Sequence, residues 1–306
     1  MREFSTSPAD LAQAAAMLRG GGLIAFPTET VYGLGANACD DQAVKNIYAA
    51  KGRPSFNPLI AHFANAAAVA RYVQVSAQAQ RVMDAFWPGA LTLVLPLKPD
   101  AQIAPSVTAG LSTLAVRVPN HPVAQELLAL ADTPIAAPSA NPSGRISPTT
   151  AAHVRNGLAG NIDGLVNGGS CAVGLESTIL TLDPSPTILR PGGVTRSELE
   201  AVLGCDVSFA GQTDHIQAPG QLASHYAPSV AVRLNATPLS GESFLGFGPG
   251  PCDINLSASA DLAEAAENLF AALHALDRLG KPIAVAPVPD TGIGRAINDR
   301  LRRAAA

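Results

Sequence analysis

Four polar stretches interrupt an otherwise apolar chain, and each carries groups suited to holding an anion or an amino acid. "PTETVYGLG" presents Thr28, Glu29 and Thr30 directly after the apolar run LIAF. "KGRPSFNPL" sets Lys51 and Arg53 on either side of a glycine, with Asn57 four residues beyond. "APSANPSGRISPT" strings Ser139, Asn141, Ser143 and Ser147 behind another apolar run, while "LESTI" and "LRPGG" supply Ser177 and Arg190. Two cations close in sequence, many small donors and glycines that permit close backbone approach form the inventory of a pyrophosphate or triphosphate site. Only four lysines occur, at 45, 51, 98 and 281, so a lysine inside such a stretch carries information. Each stretch also has a plainer reading. Thr-Glu-Thr can bond its own turn, and Lys51 and Arg53 can satisfy the last carbonyls of a helix. It is their joint occurrence that points to a ligand.

The elements that must carry these stretches alternate between strand and helix. Ser7 before Pro8 starts a helix over "PADLAQAAAMLRG". It is followed by "LIAFP", the helix "DDQAVKNIYAAKG", "LIAHF", "LTLVLP", "LAVRVP", "IAAPSA", "ESTILTLD" and "TILRPG". Lys51 and Arg53 fall at a helix end and are expected to lie outside the core. Several strands follow one another without a helical crossover, which argues for a mixed, twisted α/β sheet rather than a purely parallel one. The pattern breaks down from Cys205 to Pro228, and a smaller α/β unit follows. We expect a domain over 1–206, a linker over 207–229 and a second domain over 230–306. In open α/β sheets ligands sit where strand ends feed loops, so the four stretches can converge on one crevice.

Composition narrows the function classes. Hydrophobic residues make up 47% and charged ones 14%, which excludes a disordered chain. The net charge of -4 and the lack of a basic tract argue against stable binding to a long nucleic acid. No apolar run reaches the roughly 18 residues that span a bilayer. The first ten residues lack a secretory pattern, so the expected location is cytoplasmic. Cys39, Cys171, Cys205 and Cys252 have no zinc-ligand spacing and read as reduced thiols. There is no G-x-x-x-x-G-K-[ST], no kinase signature and no G-x-S-x-G elbow.

Taken in order and spacing, "FPTETVYGLGANA", "KGRPSFNPLIAH", "WPGALTLVL", "AGLSTLAVRVPNHP", "APSANPSG", "ESTIL" and "LRPG" resemble the YrdC-like threonylcarbamoyl-AMP synthase family. "HYAP" at 225–228 and the tail "GIGRAINDRLRRAA" resemble its longer, two-domain branch. The resemblance covers nearly the whole chain. It implies an open, twisted mixed-sheet N-terminal domain with a concave face, plus a smaller Rossmann-like α/β C-terminal domain. The reaction implied converts L-threonine, bicarbonate or CO2, and ATP into threonylcarbamoyl-AMP and pyrophosphate, the first step toward threonylcarbamoyladenosine in tRNA.

By the same resemblance the threonine pocket carries over to Thr28, His62, Arg117 and Ser177. The nucleotide side carries over to Lys51, Arg53, Asn57, Thr113, Ser139, Asn141, Ser147, Arg190 and Tyr226. Lys51 and Arg53 are expected to stabilise departing pyrophosphate, with Mg2+ held mainly by the ATP phosphates. Gly33 and Gly35 are expected to bend the chain around the crevice, and the segment from Gly211 to Pro228 to act as a lid. The product would pass transiently to a tRNA threonylcarbamoyl-transferase complex. Two other readings remain open at this level: a carbamoyl-transfer enzyme, and a non-catalytic RNA-binding or ribosome-maturation factor. The roles of Glu29, and of His62 as a base, are left undecided.

Overall fold

Local chemistry sets the helix boundaries. The Ser7 side chain caps the helix Pro8–Arg19 by accepting from the Asp10 amide, with proline in the first turn. Asp40 caps the helix Asp41–Lys51 through two amides, and that helix ends at Gly52 in the left-handed conformation at φ 61°. Thr195 and Glu198 form a reciprocal capping box at the start of the helix Arg196–Leu203.

The computed structural model describes residues 1–211 and 225–306. The strands are β1 (Arg2–Phe4), β2 (Ile24–Phe26), β3 (Gly33–Asn37), β4 (Ile60–His62), β5 (Leu91–Pro96), β6 (Thr113–Arg117), β7 (Ile135–Ala136), β8 (Gly164–Val166), β9 (Thr178–Thr181), β10 (Thr187–Arg190) and β11 (Ser208–Phe209). They form one sheet in the order β1-β8-β2-β3-β7-β4-β6-β5-β9-β10-β11. Pairing is mixed. β4 and β6 run parallel, for example, whereas β5 and β6 run antiparallel. β12 (Val232–Arg233), β13 (Ser243–Gly246), β14 (Ile254–Asn255) and β15 (Ile283–Val285) form a second sheet, ordered β12-β15-β13-β14, and its pairings are all parallel. The expected mixed sheet and smaller α/β unit are both present. β11 extends the first sheet past Asp206.

Gly33 and Gly35 do not make the bend expected of them. Both lie within β3, paired with Phe26 and Ile24 of β2. A side chain at Gly35 would meet Ile135 Cγ2 and Phe26 Cε1 at 2.8 Å each, so glycine serves close packing here rather than a turn. The reversal falls on Thr28–Tyr32.

The two units share apolar contacts. Val31, Ile146, Leu175 and Tyr226 pack into the same cluster as Leu269, Phe270 and Leu273 of the helix Leu262–Asp277. At Gly174 (φ 71°) a Cβ would sit 2.4 Å from the Glu267 carbonyl oxygen, so only glycine lets this loop lie against that helix. His153 stacks on His274 across the same boundary, with ring centres 3.9 Å apart.

Candidate active site

Parallel register places the first two site residues. His62 closes β4 and Arg117 closes β6, and the two are direct partners across those strands. Arg190 closes β10 opposite Ile179 and donates to the carbonyl of Ser177, the residue just before β9. The loop after β7 brings Ser139 against Gly33. Tyr226 comes in from the segment before the second sheet. The resulting cavity is lined by Thr28, Thr30, Arg53, His62, Arg117, Ser139, Glu176, Ser177, Arg190, His225 and Tyr226, together with apolar neighbours. Three guanidinium groups and at least four hydroxyls face one space.

Arg117 is buried, and Glu29 holds it. Nη2 donates to Glu29 Oε1 at 2.6 Å and Nε donates to the Gly89 carbonyl at 3.2 Å. Glu29 Oε2 is buried without a partner. The undecided Glu29 therefore orients the arginine of the crevice. Thr28 realises the turn reading: its hydroxyl donates to the Val31 carbonyl at 2.7 Å and accepts from the amides of Thr30 and Val31. Ser177 Oγ lies 2.7 Å from Thr92 Oγ1 and accepts from Arg190 Nη2 at 3.3 Å.

Lys51 corrects the expectation that it lies outside the core. It is only 4% exposed, and Nζ donates to the carbonyls of Ser139 at 2.6 Å and of Asn141. Burial, with the Arg53 charge second, holds its ammonium well below the ordinary lysine range. These bonds support the loop behind the cavity, and Lys51 itself is not part of the cavity wall. Arg53 is half-buried and does face the cavity. It donates to the Asn57 carbonyl at 3.3 Å and the Pro58 carbonyl at 3.0 Å. Burial lowers it to about 10, so it stays charged at neutral pH.

The remaining expected residues sit behind or beside the cavity wall. Asn57 and Asn141 are buried, and each has a side-chain carbonyl oxygen without a donor. Ser147 Oγ donates to Glu176 Oε1 at 2.5 Å. Thr113 opens β6, four residues from Arg117 and on the same face of the strand, and does not line the cavity. Sequence reading gave no site role to Glu176, Thr30 or His225, although Thr30 stands in the first polar stretch and His225 in the expected lid. Glu176 lay beside the recognised Ser177, so adjacency was the available signal. Of the expected lid, residues 212–224 lie outside the described residues. His225 and Tyr226 belong to the wall, with Tyr226 at φ 63°, a left-handed conformation that is costly for an aromatic residue.

Burial and the Arg117 charge lower His62 to about 3, which keeps its ring neutral and a weak base. Burial pushes the Cys171 thiol to about 12, so it is not a nucleophile at neutral pH. His225 is lowered to about 3, mainly by burial, and His153 to about 4 by burial and then His274. Each folded value lies below the unfolded value near 6.5. As pH falls below about 6.5, the unfolded chain takes up protons that the native state refuses, so native stability decreases until the folded values are reached. We expect each of the buried His62 and His225 to remove up to about 1.4 kcal/mol per pH unit between roughly pH 6 and 4, and the half-buried His153 less. Urea midpoints at pH 7.5, 6 and 5 measure this, and His153→Gln should flatten the profile. Equal midpoints at all three would contradict the assignment.

Residues 16–192 match the Sua5/YciO/YrdC family, described as "Telomere recombination", and residues 194–306 match the "Threonylcarbamoyl-AMP synthase, C-terminal domain". The threonylcarbamoyl-AMP synthase of Bacillus subtilis is 43% identical, over 99% of this chain and 95% of the relative. That of Pyrococcus abyssi is 41% identical, over 95% and 92%. The crystal structure of P. abyssi Sua5 complexed with L-threonine superposes with a TM-score of 0.92 at 38% identity, covering 99% of this chain and 97% of that one. Through both of its parts and nearly its whole length, the chain belongs to the threonylcarbamoyl-AMP synthase family in its two-domain form.

Proposed function

We infer that this protein makes threonylcarbamoyl-AMP and pyrophosphate from L-threonine, bicarbonate or CO2, and ATP. The observation that carries the site assignment is the convergence of Arg53, Arg117 and Arg190 on one hydroxyl-lined cavity whose two nearby carboxylates, Glu29 and Glu176, are already paired. Such a cavity is electropositive and suits a substrate carboxylate at one end and phosphates at the other. In our reading Arg117, Thr28, His62 and Ser177 hold threonine. Lys51, Arg53, Asn57, Thr113, Ser139, Asn141, Ser147, Arg190 and Tyr226 serve the nucleotide. The unpartnered oxygens of Asn57 and Asn141 fit nucleotide donors such as ribose hydroxyls.

The threonine amine attacks CO2 to give a carbamate, and a carbamate oxygen attacks the α-phosphorus as the bond to the β-phosphate oxygen breaks. No protein nucleophile is required. Positioning, together with charge stabilisation by Arg53 and Lys51, accounts for the catalysis. Among the described residues no three His, Cys, Asp or Glu side chains cluster to hold a metal. Mg2+ would enter with the nucleotide substrate, held mainly by its phosphates. The cavity measures ≈ 50 Å³, below the roughly 300–1,000 Å³ common for small-molecule sites. His225 and Tyr226 form the part of its wall next to residues 212–224. The product is a labile mixed anhydride. A direct hand-off to a tRNA threonylcarbamoyl-transferase, in a cytoplasmic setting, fits that chemistry.

Purified protein should release pyrophosphate only when ATP, threonine and bicarbonate are all present. Serine should cost about 1–3 kcal/mol in kcat/KM for one missing methyl, and valine, which lacks the hydroxyl, should be penalised more. Equal release without threonine, or equal kcat/KM for valine and threonine, would overturn this reading.

A further inference from the structure

Arg300, on the helix Gly294–Ala304 of the C-terminal unit, is fully buried beside the wall of the crevice. Its Nε donates to Glu176 Oε2 at 2.8 Å, and its Nη1 donates to the Pro191 carbonyl at 2.9 Å and Asp299 Oδ2 at 2.7 Å. The guanidinium carbon lies 5.2 Å from the centre of the Tyr226 ring. Three of these contacts lead to the cavity wall or to a residue next to it. Glu176 uses its other oxygen to hold Ser147 Oγ, Pro191 follows Arg190, and Tyr226 is wall. Its hydrogen bonds reach none of Thr28, His62, Arg117 or Ser177, although Arg190 itself donates to Ser177.

We propose that Arg300 is a positioning residue for the nucleotide, acting from the C-terminal unit through Glu176, the Arg190–Pro191 turn and Tyr226. The proposal rests on the assignment of Ser147, Arg190 and Tyr226 to the nucleotide. A buried ion pair is a poor device for stability alone, since apolar replacements are often equally stable. Orienting a hydroxyl is a task that an apolar pair cannot perform. Burial by itself would push the Glu176 carboxyl up. The charges of Arg300 and Arg190 and the hydrogen bonds from Ser147 and Arg300 outweigh it and hold Glu176 below its usual range. The ionised carboxylate accepts only, so Ser147 must donate to it and turn its lone pairs elsewhere. Without Arg300 the buried carboxyl would be protonated at higher pH, and this orientation would be lost.

The test uses the full-length protein carrying Arg300→Met, Arg300→Lys, Glu176→Gln or Ser147→Ala, each checked for its melting temperature. Initial rates of pyrophosphate release then give KM for ATP and for threonine across pH. In R300M we expect KM for ATP to rise at least tenfold and KM for threonine less than twofold. The pH below which kcat/KM for ATP falls should move up by at least one unit. R300K should recover little, because the planar fork is lost. Should R300M fail to fold, R300K and E176Q carry the test, and both should raise KM for ATP at least fivefold. An unchanged KM for ATP in these folded variants overturns the proposal. So does an equal rise in both KM values, which a loosened fold alone would give. S147A without effect on KM for ATP would remove the nucleotide assignment itself. A raised KM in S147A beside wild-type values in R300M would overturn the Arg300 proposal alone.

Discussion

Arg117→Ala should lower kcat/KM for threonine by roughly a hundred- to a thousandfold, the scale expected when one partner of a buried charged pair is truncated. Two costs add in this variant. The substrate carboxylate loses its guanidinium partner, and Glu29 is left as a buried carboxylate whose second oxygen is already unpartnered. An uncompensated buried charge of this kind costs about 3–5 kcal/mol of stability. The effects separate in two further variants. Glu29→Gln keeps an acceptor for Arg117 Nη2 while removing the charge, so it should bind threonine only moderately less well. Glu29→Ala combined with Arg117→Ala should regain stability without regaining threonine use. Arg117→Lys should not rescue, because an ammonium cannot contact Glu29, the Gly89 carbonyl and a substrate in one plane. Threonine kinetics and melting curves on the four proteins decide it. Near-normal kcat/KM for threonine in a folded Arg117→Ala would remove Arg117 from the pocket.

That pair also marks the limit of what the sequence reveals. The mixed sheet was readable because short apolar runs ending in turn residues succeed one another without crossovers. The cavity residues were readable because several stand at strand ends: His62 and Arg117 close adjacent strands, and Arg190 closes another. Pairings over long separations were not. Glu29 meets Arg117 across 88 positions and Glu176 meets Arg300 across 124, and nothing local to either residue announces its partner. Gly33 and Gly35 misled for a related reason. Two glycines around a leucine read as a turn, yet Gly35 is packed between Phe26 of β2 and Ile135 of β7, the latter a hundred residues away on the neighbouring strand. Lys51 was placed correctly at a helix end, but its burial depends on where the Ser139–Asn141 loop returns.

The burial of Lys51 changes what its removal should do. Expected from a helix end alone, Lys51→Ala and Arg53→Ala would be alike: slower turnover on an intact fold. The geometry separates them. Arg53 bonds two carbonyls at the edge of the cavity and is partly exposed, so Arg53→Ala should keep its melting temperature within a few degrees. Its turnover should fall roughly ten- to a thousandfold through lost stabilisation of the leaving phosphates. Lys51→Ala empties a buried position, strips the side-chain donor from the Asn141 carbonyl, and leaves the Ser139 carbonyl with the Asn141 amide alone. An unsatisfied buried acceptor costs about 1–3 kcal/mol, and the emptied space adds to it, so this variant should melt below the wild type. The loop that presents Ser139 to the cavity would lose a side-chain anchor while keeping its backbone bonds to Tyr32 and Leu34. Turnover should then fall by roughly a thousandfold, more than in Arg53→Ala, with KM for ATP rising alongside the drop in kcat. Lys51→Met fills the space without the charge and should recover part of the stability but none of the rate. Melting temperature, kcat and KM for ATP across the three variants form the test. If Lys51→Ala melts like the wild type, its two carbonyl bonds are not holding the loop. If Lys51→Met turns over normally, the ammonium has no part in stabilising the departing pyrophosphate.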